Sequence, residues 1–269
     1  MSQTVFITGA SSGIGQALAR QYAAQGATLG LVARRVDVIN DFAQTLPAGL
    51  RVHCYAADVC NAESMHAAAE AFIAAAGVPD VVIANAGISE GTDLREPGDL
   101  AAFARVMDTN WMGTLNTFQP FVEPMLARAK PGQPGGTLVG IASVAGVRGL
   151  PGAAAYSASK SAVIKLMESL RVEFGPNGRP GLRVVTIAPG YIRTPMTAHN
   201  PYPMPFLMPV DVFAQKAVEA IHRGVRFTVL PWQMGIVAKL LHVLPRWLYD
   251  LAFARAPRKP RKPGKPENS

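Results

Sequence analysis

Residues 8–15 have the sequence Thr-Gly-Ala-Ser-Ser-Gly-Ile-Gly, and this stretch decides the fold of the chain. An apolar strand, Val5–Thr8, leads into it, and a helix, Gly13–Gln25, begins where it ends. Glycine lets the backbone turn sharply and lets a ligand approach it closely. The N–H groups that open the helix then point at an anion, which the helix dipole also favours. The stretch therefore predicts a dinucleotide-binding turn, with the spacing TGxxxGxG in place of the common GxGxxG.

Beyond this turn, short apolar runs alternate with helical stretches. Further strands are predicted at Thr28–Ala33, Arg51–Ala56, Val81–Ala84, Thr137–Ala142 and Arg183–Ala188. Further helices are predicted at Asp37–Leu46, Ala62–Ala76, about Leu100 to Ala129, Ala155–Phe174 and Asp211–Arg223. This alternation predicts an α/β protein with a single-domain Rossmann fold, a doubly wound parallel sheet with helices on both faces. Such sheets bind ligands at the carboxyl ends of their strands.

The 269 residues divide into three parts by composition. Residues 1–226 form the Rossmann-type catalytic domain, and its segment from about 191 to 210, with five prolines, is predicted to be an irregular substrate loop. Residues 227–254 form an apolar, amphipathic C-terminal extension. Residues 255–269, a basic and proline-rich tail, are predicted to be disordered.

Charge and cysteine content exclude several classes of protein. Six basic residues and one acid follow residue 254, so the tail supplies five of the eight net positive charges, and no nucleic-acid surface is predicted for the fold. Cys54 and Cys60 are expected to be reduced thiols, and no histidine lies at metal-site spacing from them, so no metal site is predicted. The first apolar run leads straight into the glycine-rich turn, without a signal peptide, so a cytoplasmic location is expected.

The second strand, Thr28–Ala33, is followed by Arg34 and Arg35. Enzymes that use NAD usually carry an acid here for the ribose 2′-hydroxyl, whereas an arginine nearby accommodates the 2′-phosphate of NADP. No acid occurs between Thr28 and Val36, and Asp37 comes three residues too late. Because guanidinium groups match phosphate geometry, the sequence predicts NADP(H).

Polar motifs follow the later strands. They are Asn85-Ala86-Gly87, Asn110, Ser143, Tyr156 with Lys160, and Pro189-Gly190 with Thr194. Tyr156 and Lys160 are four residues apart and share a helix face. A tyrosine with an ordinary pKa of about 10 does not cycle readily at neutral pH, and a lysine ammonium nearby lowers that pKa. Ser143 can hydrogen-bond the same substrate oxygen, so the three side chains suit the proton transfer that carbonyl reduction requires.

With residues 8–15, these motifs closely resemble the short-chain dehydrogenase/reductase family over roughly residues 2–195. The motif Ala84-Asn85-Ala86-Gly87 departs from it slightly, since many members carry a second asparagine. The resemblance implies hydride transfer between NADP(H) and a carbonyl compound or alcohol, with Tyr156 as acid and base. It also implies that Lys160 holds the nicotinamide ribose, that Asn110 reaches Lys160 through water, and that the protein is a homodimer or homotetramer.

The catalytic residues implied are Asn110, Ser143, Tyr156 and Lys160. Asp58 and Val59 would border the adenine, and Ile192 and Thr194 would close over the nicotinamide amide. The predicted cofactor-binding residues are Gly9, Ser11, Ser12, Gly13, Ile14, Gly15, Arg34, Arg35, Asp58, Val59, Asn85, Ala86, Gly87, Tyr156, Lys160, Pro189, Gly190, Ile192 and Thr194.

The substrate loop is rich in methionine and aromatic residues. It contains Met196, Met204, Phe206, Leu207 and Met208, and no Arg or Lys occurs between Arg193 and Lys216. Such side chains make adaptable apolar walls, which favours an apolar substrate such as a lipid, steroid or long-chain ketone. The alternative is that they pack on the core. Two other functions remain open: a 3-oxoacyl-thioester reductase of fatty acid metabolism, and a non-catalytic NADP(H) sensor, against which the retained catalytic residues argue.

The C-terminal extension has two interpretations. Charged and proline residues interrupt it, and its longest uncharged run, Phe227–Ala238, has 12 residues, too few for a membrane span. One interpretation is peripheral contact of residues 227–269 with the inner face of a membrane, with Trp232 and Trp247 at the interface and the tail on anionic headgroups. The other is an apolar surface buried between subunits or closing the substrate pocket.

Overall fold

A computed structural model describes residues 2–175, 181–198 and 200–261. Its main sheet has seven parallel strands: β1 (Thr4–Thr8), β2 (Thr28–Ala33), β3 (Val52–Ala56), β4 (Val81–Ala84), β5 (Thr137–Ile141), β6 (Arg183–Pro189) and β9 (Phe227–Leu230). The helices are α1 (Gly13–Ala24), α2 (Val36–Gln44), α3 (Ala62–Ala76), α4 (Leu100–Met107), α5 (Gly113–Ala127), α6 (Ala154–Phe174), α7 (Val210–His222), α8 (Trp232–Val243) and α9 (Arg246–Phe253). The predicted doubly wound α/β sheet is confirmed, and the predicted element bounds agree within one or two residues through β6.

The strand order is β3-β2-β1-β4-β5-β6-β9, so β2 and β3 lie on one side of β1 and the later strands lie on its other side. β1 pairs with both β2 and β4, so the chain winds outward in one direction from β1 to β3 and then crosses back to β4. Ligands bind in the crevice that such a reversal leaves at the carboxyl ends of the strands. The motifs that follow β1, β4, β5 and β6 all lie along this edge.

Two cores cover the sheet, one on each face. Val5 and Ile7 of β1 pack with α1, α2 and α7, whereas Phe6, between them, faces α3, α5 and α6. The Phe6 ring lies 5.4 Å from the ring of Phe72 and 4.7 Å from that of Phe121. Strands buried on both faces read as continuous apolar runs, as these do.

The long helical region predicted from Leu100 to Ala129 is divided. A π-helical turn, Asp108–Met112, separates α4 from α5. Single π-turns inside a helix frequently occur at functional sites, and this one contains Asn110. The hydrophobic pattern of the sequence carries no signal for the change because the turn continues the helix without a break.

The chain after β6 differs most from the prediction. The substrate loop contains two short paired strands, β7 (Ile192–Arg193) and β8 (Met208–Pro209). The sheet also continues past residue 226, the predicted end of the catalytic domain. Phe227–Leu230 pairs in parallel with Thr186–Pro189 of β6. Four residues between a turn and a proline are too few to show a strand pattern, and their place in the sheet depends on β6.

The basic tail makes side-chain bonds over the part that the structure describes. Residues 254–261 have irregular backbone, and Arg258 and Arg261 pair with Asp93 and Asp99. Composition alone does not reveal these acidic partners, and the disorder of residues 255–269 stays a prediction. The rest of the predicted tail, residues 262–269, lies outside the described residues.

Helices α8 and α9 leave a row of large apolar side chains exposed. Its members recur three or four residues apart along the two helices and are Trp232, Ile236, Leu240, Val243, Trp247 and Leu251, each at least half exposed. Within residues 2–175, 181–198 and 200–261, no helix combines the length and the apolar character that crossing a membrane requires. The row is therefore a surface feature of the C-terminal helices, which we call the apolar row.

Candidate active site

A cleft of about 380 Å³ opens along the carboxyl edge of the sheet, over the reversal between β1 and β4. It brings together all of the predicted cofactor-binding residues except Gly15: Gly9, Ser11, Ser12, Gly13, Ile14, Arg34, Arg35, Asp58, Val59, Asn85, Ala86, Gly87, Tyr156, Lys160, Pro189, Gly190, Ile192 and Thr194. Among the predicted catalytic residues, Ser143 also lines the cleft, and Asn110 is buried beneath it. Residues as far apart as 9 and 194 thus share one surface.

Two glycines of the turn after β1 are required by close contacts. Gly9 has a φ of +69°, and a Cβ there would lie 2.8 Å from the Cα of Ala86. A Cβ on Gly15 would lie 2.2 Å from the carbonyl oxygen of Gly9, so Gly15 supports the turn from below and does not line the cleft. The turn therefore packs closely against the loop after β4 and against α1. The first residue of α1, Gly13, lines the cleft, as an anion-binding helix N-terminus requires.

The Asn85 side chain ties the two central strand ends together. Its Nδ2 donates to the carbonyl oxygens of Thr8, at 2.9 Å, and of Gly9, at 3.3 Å. The Thr8 hydroxyl in turn accepts from the Asn85 backbone N–H at 3.2 Å. Although Asn85 lines the cleft, these bonds make it a scaffold residue, and Thr8 is a partner that the predicted site set omitted.

Arg34 and Arg35 lie at the end of the cleft that follows β2. Both side chains are exposed, and the Arg35 backbone is extended where it precedes α2. Asp37 lies in the first turn of α2 and is not among the described residues that line the cleft. Two cations and no acid therefore border the position that follows β2.

The side chain of Asn110 is fully buried and completely bonded. Its Oδ1 accepts from the Ile88 N–H at 2.8 Å, and its Nδ2 donates to the Ile88 carbonyl at 3.0 Å and to the Ser159 hydroxyl at 2.9 Å. The π-helical turn is what directs this amide toward the loop after β4. Ser159 lies inside the Tyr156–Lys160 motif but was not predicted as a site residue; a small polar side chain next to the lysine was the available signal.

Lys160 is buried, and its ammonium donates to the Ile141 carbonyl at 2.8 Å. A Cβ on Gly87 would lie 3.4 Å from the Lys160 Nζ and 3.1 Å from the Asn110 Oδ1, so both polar groups flank that glycine. Burial lowers the pKa of Lys160 to about 8 because desolvation disfavours the charged form.

Tyr156 is half-buried in the wall of the cleft, beside Ser143. Burial raises the pKa of the Tyr156 hydroxyl, and a hydrogen bond with Ser143 acts in the opposite direction. The lowering of this pKa by Lys160, expected from the four-residue spacing, is not a feature of this geometry, in which the Ile141 carbonyl holds the ammonium. The Ser143 hydroxyl also accepts from the Ala145 N–H at 3.1 Å, which fixes its position at the end of β5.

A second cavity of about 340 Å³ adjoins the cleft and shares Ser143, Tyr156 and Gly190 with it. Of the five apolar loop residues predicted to cover the substrate, Met196 lines this cavity, Met208 packs against the core, and Phe206 is about half exposed; Met204 and Leu207 are not among the described lining residues. The other apolar walls come from Tyr191 and Tyr202 of the same loop and from Leu150, Pro151, Phe253 and Pro257 of other segments. The predicted loop therefore borders this cavity, and its role in covering a substrate stays a prediction.

Comparison with protein families gives a match to the model described as short chain dehydrogenase, over residues 3–203. A curated relative from Myxococcus xanthus, named an uncharacterized oxidoreductase, is 37% identical over 257 residues, which cover 94% of this chain and 97% of the relative. A relative from Arabidopsis thaliana named 11-beta-hydroxysteroid dehydrogenase-like 2 is 35% identical over 83% of this chain and 70% of its own length.

Solved structures resemble the whole domain. An alcohol dehydrogenase from the archaeon Thermococcus sibiricus, complexed with 5-hydroxy-NADP, has a TM-score of 0.73 and 27% identity, and the match covers 85% of this chain and 95% of that one. Levodione reductase has a TM-score of 0.75 and 25% identity, with 85% and 95% coverage. The similarity therefore extends beyond the motifs to the arrangement of nearly the entire chain.

The buried ammonium predicts a pH-dependent difference in stability. Because the pKa of Lys160 falls from 10.5 to about 8 on folding, the unfolded chain binds more protons than the folded chain between these values. The resulting penalty is full below pH 8 and disappears as the pH rises through 10.5. We expect Lys160→Met to gain roughly 2 kcal/mol more stability, relative to the parent protein, at pH 7 than at pH 10, in urea unfolding without cofactor.

Lys165→Met is the matched control, since Lys165 lies on the same helix and is exposed beside Glu168. It should change the free energy of unfolding by similar small amounts at both pH values. An equal effect of Lys160→Met at pH 7 and pH 10 would contradict a lowered pKa for Lys160.

Proposed function

Because the chain belongs to the short-chain dehydrogenase/reductase family, and is an oxidoreductase on that ground, we propose that it interconverts a carbonyl compound and a primary or secondary alcohol with NADP(H). The observation that carries this proposal is the convergence of Ser143, Tyr156 and Lys160 on the glycine-rich cleft, next to an apolar cavity. A sensor that only bound the nucleotide would have no need of a proton donor at the junction of the two spaces.

Tyr156 and Ser143 have separate roles in the proposed reaction. The nicotinamide, when bound in the cleft, supplies or accepts the hydride. Tyr156 gives a proton to the substrate oxygen in reduction and takes it in oxidation. Ser143 donates a hydrogen bond to that oxygen and stabilises the charge that develops on it. Tyr156 must be protonated to act as the donor in reduction, and the hydrogen bond with Ser143 opposes the rise in the pKa of Tyr156 that burial causes.

Lys160 and Asn110 serve the proton supply in this proposal. Lys160 carries a pKa of about 8, so it can hold or release a proton near neutral pH. Its neighbour Asn110 keeps its amide in one orientation through three hydrogen bonds, and a water beside Gly87 would meet both groups. Lys160 would also hold the nicotinamide ribose, as the family resemblance implies.

The preference for NADP(H) rests on Arg34 and Arg35. A 2′-phosphate at the end of β2 would meet two guanidinium groups, which bind phosphate through charge-assisted hydrogen bonds. The one carboxylate among the described residues that line the cleft is Asp58, which follows β3, so none follows β2 there for the ribose 2′-hydroxyl of NAD(H). The Thermococcus sibiricus relative, complexed with 5-hydroxy-NADP, is consistent with the same choice.

The substrate proposed is apolar, in the class of lipids, steroids and long-chain ketones. The walls of the second cavity are mainly aliphatic and aromatic, and several relatives carry names of hydroxysteroid dehydrogenase type. A 3-oxoacyl thioester, the alternative substrate, would need the same proton donor but a longer polar arm. Rates on free ketones and on acyl thioesters of equal chain length distinguish the two.

The surface of the C-terminal helices is proposed to lie on an anionic membrane at the inner face, with the catalytic domain in the cytoplasm. Exposed Trp232 and Trp247 in the apolar row suit the headgroup boundary, and Lys239 and Arg246 on the same helices suit anionic lipids. The cytoplasmic location agrees with two free thiols, Cys54 and Cys60.

We also propose a homodimer or homotetramer built partly on α6.

Removing the proton donor tests the reaction directly. Tyr156→Phe should lower kcat at least about 100-fold with NADPH and any accepted ketone, while NADPH affinity changes less than about threefold. Steady-state rates and NADPH fluorescence titration measure the two quantities. Tyr55→Phe, which removes a hydroxyl on β3 away from the cleft, is the control and should retain activity. Full activity in Tyr156→Phe would contradict the mechanism.

Removing the two guanidinium groups tests the cofactor. The double variant Arg34→Ala/Arg35→Ala should lower kcat/KM for NADPH about 10- to 100-fold and leave kcat/KM for NADH nearly unchanged. Arg20→Ala/Arg51→Ala, which removes two arginines outside the cleft, controls for net charge. A parent protein that prefers NADH would overturn the proposal for NADP(H).

Membrane contact is tested by sedimentation with anionic vesicles. The double variant Trp232→Ser/Trp247→Ser should remain in the supernatant while the parent protein pellets, because it loses the interfacial aromatics. Leu94→Ser/Val172→Ser removes exposed apolar residues elsewhere and should pellet normally. If the tryptophan variant instead changes the oligomeric mass without vesicles, the apolar row is a subunit interface and the membrane proposal fails.

A further inference from the structure

The C-terminal segment 254–261 forms part of the wall of the second cavity. It follows α9, and Ala256 and Pro257 line the cavity together with Phe253 from the end of that helix. These three residues are not among the described residues that line the cofactor cleft, whereas Tyr156 lines both spaces. The segment, which we call the strap, therefore borders the space that the proposed function assigns to the substrate.

Acidic side chains of the loop after β4 hold the strap by its arginines. The Arg261 guanidinium donates two hydrogen bonds to the Asp99 carboxylate, at 2.8 and 3.0 Å, and the Asp99 side chain is 9% exposed. Arg258 lies 3.5 Å from the carboxylate of Asp93. A two-pronged ion pair on a nearly buried carboxylate is well defined in geometry, in contrast to most surface pairs.

Two glycines leave room for the strap backbone. A Cβ on Gly91 would lie 2.5 Å from the carbonyl oxygen of Lys259, and a Cβ on Gly152 would lie 2.8 Å from the Cβ of Arg258. The Thr92 N–H donates to the Gly152 carbonyl at 3.1 Å, so the loops that carry the two glycines are bonded to each other. The strap therefore lies in a groove whose two sides are linked.

Helix α9 holds the beginning of the strap. The Tyr249 hydroxyl donates to the Gly149 carbonyl, and the guanidinium carbon of Arg148 lies 4.5 Å from the centre of the Tyr249 ring. The Tyr249 ring also stacks on that of Phe253, with their centres 4.4 Å apart, and so supports Phe253 at the cavity wall. The strap is thus held before its first residue, through Tyr249, and at its last described residue, Arg261.

The strap lies close to the position of the reaction. Its Lys259 side chain reaches to 5.7 Å from the centre of the Tyr156 ring and donates a hydrogen bond to the Ser89 hydroxyl. The cavity that they border has a volume of about 340 Å³. This volume is near the lower end of the range, roughly 300–1,000 Å³, of pockets that bind small molecules. A substrate with its carbonyl at Tyr156 therefore has little room before it meets the strap.

We propose that the strap closes the second cavity, so that Phe253, Ala256 and Pro257 set the greatest chain length of the apolar ketones that the enzyme reduces. The preferred substrates are then compact or medium-chain ketones, and longer chains are rejected by contact with the strap. This inference rests on the proposed function, because it assigns the second cavity to the substrate. It requires the strap to remain in its groove in solution, in contrast to the disorder that composition predicts.

Chain-length profiles test the proposal both with and without turnover. Methyl ketones with pentyl, heptyl, nonyl and undecyl chains are assayed for kcat/KM with NADPH, and their affinities are measured with the NADP⁺-loaded protein, which cannot reduce them. In an open groove, affinity should rise by up to about fourfold for each methylene that is buried. Against a closed wall, both quantities should rise and then fall at least about 10-fold between two successive ketones. A rise that continues through the undecyl chain would overturn the proposal.

Releasing the strap should lengthen the accepted chain. Arg258→Gln/Arg261→Gln removes both ion pairs and should raise the affinity for the undecyl ketone, relative to the heptyl ketone, at least about 10-fold. Arg246→Gln/Arg255→Gln removes the same charge from exposed residues of the same region that are not among the described lining residues, and should keep the parent ratio. An unchanged ratio in the first variant, or an equal rise in both, would contradict the assignment to the strap.

A methyl group tests the groove without altering charge. Gly91→Ala places a Cβ against the strap backbone and should raise the same affinity ratio although both arginines are intact. Gly98→Ala, in the same loop, faces open space and should have no effect. If Gly91→Ala has the chain-length profile of the parent protein, the strap does not lie in this groove.

A larger side chain on the strap should have the opposite effect. Ala256→Leu extends the cavity wall and should lower the affinity for the heptyl ketone, relative to the pentyl ketone, at least about fivefold. Ala252→Leu, at an exposed position of α9, is the control and should keep the parent ratio. A longer accepted chain in Ala256→Leu would mean that substitutions only loosen the segment, and it would exclude the strap as a wall.

The outcomes separate this inference from the proposed function. A chain-length limit in binding, without NADPH-dependent turnover of any ketone, would contradict the proposed function alone. Turnover without a limit, or with a limit that none of the strap variants moves, would contradict the role of the strap alone. If the loaded protein binds none of the ketones and reduces none of them, both are wrong.

Discussion

The hydrogen bonds from the Asn85 amide to the carbonyls of Thr8 and Gly9 hold the point on which the cleft depends. They join the carboxyl ends of β1 and β4, the two strands between which the sheet reverses. The Thr8 hydroxyl, which accepts from the Asn85 backbone N–H, adds a second link between the same two strand ends. Gly15 of α1 packs against the Gly9 carbonyl of the same turn, with no room for a side chain between them. The cofactor surface is thus fixed by backbone contacts before any catalytic side chain is considered.

Polar groups buried at this surface are costly to leave without hydrogen-bond partners, and Asn110 and Lys160 both have such partners. Asn110 and Lys160 are buried at the cleft, where an amide or ammonium without hydrogen-bond partners would destabilise the folded state. The π-helical turn turns Asn110 toward Ile88 and Ser159, and the end of β5 offers Lys160 the Ile141 carbonyl. The burial that demands these bonds also lowers the pKa of Lys160 to about 8 and raises the pKa of Tyr156. Structural support and proton chemistry thus have one cause.

The sequence was sufficient for the parts of the molecule governed by local pattern. Strands β1, β2, β4, β5 and β6 are largely buried and read as apolar runs, and their ends carry the motif residues, so fold and cleft could be predicted together. Interactions between distant segments were not predictable. The strand Phe227–Leu230 exists because β6 offers it an edge, the π-helical turn leaves the helical pattern intact, and Arg258 and Arg261 of the tail pair with Asp93 and Asp99, some 160 residues earlier.

The two spaces at the active site are therefore under different constraints. The cofactor cleft is built from strand ends that the sheet fixes rigidly, so a change in any of them disturbs the fold as well as the reaction. The second cavity is assembled from the loop near residue 150, the segment after β6, and the C-terminal segment, none of which the sheet depends on. Under the proposed function, substitutions in these segments would alter the substrate while the hydride and proton chemistry stays intact. Since the C-terminal segment lines this cavity with Phe253 and Pro257, the walls of the second cavity depend on residues outside every motif that identifies the family.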